Sequence, residues 1–124
     1  MNLDEFRGEM NAYWHSVNEE AESKKDPYVV LDRLRRLYGK FDSDERRMAD
    51  QVMSEWLFDD INDRGDFALS LVRDLKVVTA IPALLELATR LPSNSEPGAP
   101  FHLKQVKEVI EELSGYPARE SAKP

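Results

Sequence analysis

Apolar residues recur at intervals of three and four along almost the whole chain, the spacing that puts them on one face of a helix. The two-residue alternation of a half-buried strand is absent. In the first segment Leu3, Phe6, Met10, Tyr13, Trp14, Val17 and Ala21 form such a stripe and predict a helix from about Leu3 to Ser23. Asp26 before Pro27 marks the next start, because a carboxylate accepts orphan backbone N–H groups and proline needs no donor in a first turn. Val30, Leu31, Leu34, Leu37, Tyr38 and Phe41 then predict a short second helix, with Gly39 and Lys40 at its exit. Asp42 with Glu45 three residues on has the form of a capping box. It opens a third stripe of Met48, Ala49, Val52, Met53, Trp56 and Leu57 that ends near Asp59.

The segment from Asp60 to Gly65 is rich in turn formers, and Asp63 or Asp66 is placed to cap a fourth helix through Phe67, Ala68, Leu71, Val72 and Leu75. After a break at Val77, Val78 and Thr79, a fifth stripe runs through Ile81, Leu84, Leu85, Ala88 and Leu91, with Pro82 tolerable because it falls in the first turn. Three prolines, a glycine and two serines between Leu91 and Pro100 predict the longest loop. A sixth helix follows with Phe101, Leu103, Val106, Val109, Ile110 and Leu113 inward, stopped by Gly115 and Pro117. The pattern thus predicts an all-α fold of about six helices, one domain over residues 1–115, with a disordered tail over 116–124.

Composition narrows what such a fold is for. The 124 residues are enough to bury one core without staples, and the lack of cysteine, which fits a reducing compartment, leaves neither disulfides nor thiolate chemistry. No apolar run approaches the roughly 20 residues a membrane span needs, and the acidic N-terminus lacks the plan of a signal peptide, so a soluble, cytoplasmic protein is expected. A net charge of −7 disfavours binding to a phosphate backbone and favours a basic protein partner. That charge is concentrated: Asp42 to Asp66 holds nine acids against three bases, whereas the remaining residues hold fifteen against fourteen.

The helix opened by Ala80-Ile81-Pro82-Ala83-Leu84-Leu85, after an apolar helix and a short break, resembles a HEAT-type repeat. The resemblance covers roughly Pro27 to Leu113 and implies two to three irregular helical pairs stacked on one another. Two features depart from the family pattern: the Pro-rich loop replaces the usual tight turn, and the Ala-Ile-Pro run occurs once. A compact irregular helical bundle is the alternative.

Candidate reaction centres are few and weak. Asp60 to Gly65 has some of the spacing of a calcium loop, but Arg64 stands at a ligand position and Leu71 where the bidentate glutamate belongs. Arg64-Gly65-Asp66 spells an adhesion tripeptide and reads better as a capping turn. His15 and His102 lie on different helices without metal-ligand spacing and are expected at a surface or boundary. No Gly-x-Ser-x-Gly elbow or Gly-rich phosphate loop is present. Arg33, Arg35, Arg36 and Lys40 complement the negative end of the second helix, and Trp14 and Trp56 sit on apolar stripes as core residues. No catalytic residue, metal or cofactor is expected.

What stands out is the acidic window. Asp50, Glu55, Asp59, Asp60, Asp63 and Asp66 are the candidate partner-binding residues, a row of carboxylates able to enter a basic cleft. Immunity proteins are often short, acidic, single-domain and in some cases HEAT-like. The chain resembles them in these respects, which implies a non-catalytic module that neutralises a bacterial toxin domain such as a nuclease. A general HEAT-like scaffold or adaptor with no toxin partner is the alternative.

Overall fold

The computed structural model describes residues 2–26, 28–61 and 63–115. Among these lie six α-helices, two single-turn 3-10 segments and no strand. The chain packs as two compact units, one ending at Val52 and the other beginning at Met53, so the division falls inside the third helix. The expected tail over 116–124 lies outside the described residues.

The first unit is built on α1 (Leu3–Lys24), α2 (Tyr28–Lys40) and most of α3 (Ser43–Trp56). α1 starts with a capping box not apparent from the apolar pattern: the Asn2 side chain accepts from Glu5 N–H at 2.8 Å, and the Glu5 carboxylate accepts from Asn2 N–H at 3.2 Å. It ends at Lys25, whose left-handed φ of 55° lets its N–H reach back to the carbonyls of Ala21 and Glu22. Asp26 Oδ1 then accepts from Tyr28 N–H at 3.0 Å, as expected of the residue that starts α2. α1 and α2 pack together and are tied by an ion pair from Arg33 to Glu20 at 2.9 Å. Phe6, Met10, Trp14, Val17 and Ala21 of α1 and Val30 and Leu34 of α2 are buried. The box opening α3 is as expected, Asp42 Oδ1 accepting from Glu45 N–H and Glu45 Oε1 from Asp42 N–H.

The second unit holds the end of α3, then α4 (Arg64–Asp74), α5 (Ile81–Arg90) and α6 (Ala99–Ser114). α6 packs on both α4 and α5. One 3-10 turn, Val78–Ala80, leads into α5 and another, Leu91–Ser93, leads out of it. Leu71, Val72, Leu84, Val106 and Leu113 are essentially inaccessible and form the centre of this unit's core.

Several expectations need correction, and register explains most of them. α3 ends at Trp56, three residues short of Asp59, where the N–H groups of Phe58 and Asp59 switch to the carbonyls three residues back, Glu55 and Trp56. Neither aspartate caps α4 as expected: Asp63 occupies the N-cap but its side chain makes no cap hydrogen bond, and Asp66 already lies inside the helix. In α5 the inward positions are Leu84 and Leu87, continued by Leu91 in the 3-10 turn that follows, which leaves Leu85 at 52% exposure. α6 begins at Ala99, within the expected loop, and its buried face then runs Ala99, His102, Val106, Val109 and Leu113 at helical spacing. Phe101 therefore points out, 65% exposed, and His102 takes the inward place at 3%. The expectation of a boundary histidine fails at His102. His15 is exposed.

Candidate functional site

The turn between α3 and α4 is shaped by backbone hydrogen bonds. Asp59 N–H donates to Trp56 O at 3.0 Å, and both Asp63 N–H and Gly65 N–H donate to Asp60 O at 3.0 Å. Ile61, apolar and buried, pins the turn to the core of the second unit. Gly65 is required by contact: a Cβ there would sit 2.5 Å from Asp59 O and 2.8 Å from Asp60 O, closer than any side chain tolerates. The carbonyls of the acidic turn thus crowd the first turn of α4.

Arg64 is the one base in this turn, and its charge is drawn inward. Its Nε lies 2.5 Å from Asp59 Oδ2, its guanidinium lies 5.0 Å from the centre of the Trp56 ring, and its side chain is 22% exposed. Asp60, Asp63 and Asp66 are exposed. Asp66 is also 4.0 Å from Nδ1 of the buried His102, whose Nε2 has no hydrogen-bond partner. Burial holds the His102 pKa below its ordinary value, with the Asp66 charge pulling in the opposite direction.

The six candidate carboxylates therefore differ in kind. Asp60 and Asp63 share the turn and are exposed, and Asp66, also exposed, lies in the first turn of α4. Asp59 is in the same turn but is engaged by Arg64. Glu55 is half-buried in α3. Asp50 belongs to the first unit, where it is half-buried and accepts a 2.8 Å hydrogen bond from the Tyr38 hydroxyl, while Arg46 lies over the Tyr38 ring. Burial raises the Asp50 pKa, partly offset by the Tyr38 hydrogen bond, and burial together with the Asp50 contact raises that of Tyr38 strongly.

A polar groove of about 450 Å3 lies between α4 and α6, lined by Asp66, Ser70, Arg73, Gln105, Glu108 and Glu112. Lys76 closes toward Glu112 at 3.5 Å. The sequence did not reveal this groove, since it depends on which faces of two distant segments meet. Trp14 and Trp56 are each 3% exposed and act in the cores of their units, not as surface anchors. No helix among the described residues is long and apolar enough to cross a membrane, and no three His, Asp or Glu side chains among them converge as a metal site. Compared with protein-family models, curated proteins and solved structures, the chain matches none.

Proposed function

We propose that this chain is a non-catalytic protein-binding module whose acidic turn docks into a basic cleft, most concretely an immunity protein that neutralises a bacterial toxin domain in the cytoplasm. One observation carries the reading: Asp60, Asp63 and Asp66 are exposed, while Arg64, the only base among them, is folded onto Asp59 and Trp56. Exposed carboxylates project their field into solvent and can occupy a groove built for phosphates, which gives steering and a fast on-rate. Further support comes from the uneven charge, with nine acids and three bases between Asp42 and Asp66. The packing of sequence neighbours, α1 on α2 and α5 on α6, is what a HEAT-like arrangement of helical pairs would use.

The experiment is co-expression with the toxin domain encoded beside this chain's gene. Immunity requires that the chain restore growth and co-purify with the toxin, and that Asp60→Asn with Asp63→Asn weaken both. Restored growth without a stable complex, or an adjacent gene with no toxin activity, would turn the reading toward a scaffold or adaptor.

A further inference from the structure

The first unit carries a second surface, built independently of the acidic turn. Between α1 and the end of α2 lies a groove of about 150 Å3 whose floor is Phe6 and Met10 and whose walls are Tyr13, Leu37 and Phe41. Phe6 and Met10 are buried and the three wall residues half-buried, so the groove is open above and apolar beneath. Phe6 and Phe41 meet edge to face with ring centres 5.2 Å apart, and Phe41 meets Tyr38 in the same way at 6.4 Å, which fixes one wall. The volume matches one aromatic or large aliphatic side chain, since apolar cavities of about 150 Å3 accept a benzene ring.

The rim decides what that side chain is attached to. Its two charged lining residues, Glu9 and Glu45, are both acids, and no lysine or arginine lines the groove. Glu9 is exposed and forms no ion pair with any described residue. Glu45 uses Oε1 to cap α3, accepting from Asp42 N–H at 2.9 Å. An apolar socket between two carboxylates selects an apolar anchor flanked by cations, the pattern of a buried hot spot within a charged rim.

We infer that the α1–α2 groove binds a segment of a partner protein in which one aromatic or large aliphatic residue is flanked on both sides by lysine or arginine. Nearby, Asp4 and Asp44 are paired with Arg7 and Arg47, so the negative charge of the rim comes from Glu9 and Glu45. The occupant is a peptide segment of that partner. A second copy of this chain would have to bring its own cations to the rim.

The probe is a capped pentapeptide, Lys-Lys-Phe-Lys-Lys, titrated into the isotopically labelled full chain and followed by amide and methyl NMR. Binding should move the signals of Met10, Tyr13, Leu37 and Phe41, and should weaken at least tenfold for Lys-Lys-Ala-Lys-Lys and for Glu-Glu-Phe-Glu-Glu. Glu9→Gln combined with Glu45→Gln should raise the peptide Kd severalfold, on the order of threefold per charge for exposed pairs. Gln at position 45 can still close the capping box, and the single Glu9→Gln variant, at an exposed helical position, serves if the pair fails to fold. Three results overturn the inference: no shifts at the groove up to about millimolar peptide, equal binding of the alanine or glutamate peptides, or groove shifts that follow protein concentration without peptide. The last would mean that a second copy fills it.

Discussion

Gly65 shows how one residue without a side chain holds the acidic turn. Because a Cβ would meet two backbone carbonyls inside 3.0 Å, Gly65→Ala should force the turn open at a cost of about 1–3 kcal/mol, read by urea denaturation. An alanine variant as stable as the parent would mean that Asp59 and Asp60 do not pack there. Tyr38 makes a different contribution, donating to a half-buried carboxylate. Tyr38→Phe leaves Asp50 short of a donor and should cost about 1.5–3 kcal/mol, the range for a hydrogen bond to a charged group. The Asp50 pKa, already raised by burial, should rise further in an NMR titration. Neither role could be read from the sequence, where Gly65 is only a turn former and Tyr38 one more stripe position.

Elements were more legible than the directions their residues face. All six helices and the Asp42–Glu45 box follow from spacing and punctuation, because backbone hydrogen bonding and a single apolar stripe are local properties. The register of α6 was not legible: hydrophobicity favours Phe101 over His102, yet a helix starting at Ala99 puts His102 on the buried face with Val106 and Val109. Elements packed on α6 present few charges to that imidazole. Asp66 of α4 is at 4.0 Å, Glu86 and Arg90 of α5 pair with each other at an exposed site, and the turn Leu91–Ser93 has no titratable side chain. The unfolded chain takes up a proton near pH 6.5, whereas the folded chain resists it until lower pH. Stability is therefore complete above that value and declines as pH falls, by at most about 1.4 kcal/mol per pH unit for one proton. His102→Leu should flatten the melting temperature between about pH 7 and 5.5, the window set by the free imidazole. An unchanged slope would place the acid sensitivity in other groups.

At the scale of the whole molecule the charge is uneven, and that much is visible in the sequence as a count. The count did not separate Asp50 and Asp59, engaged by Tyr38 and Arg64, from exposed Asp60, Asp63 and Asp66, because partners twelve and five residues away become evident only once the helices and the turn have formed. In the proposed function the exposed three make the steering surface. The most direct test is the stopped-flow association rate with the toxin domain that the proposed function calls for, as salt is raised, since exposed charges are screened within about 8 Å at physiological ionic strength. The rate should fall steeply with salt, and at low salt Asp60→Asn with Asp63→Asn should slow it about tenfold while leaving the circular dichroism spectrum unchanged. A rate that ignores both salt and these two substitutions would contradict docking through the acidic turn.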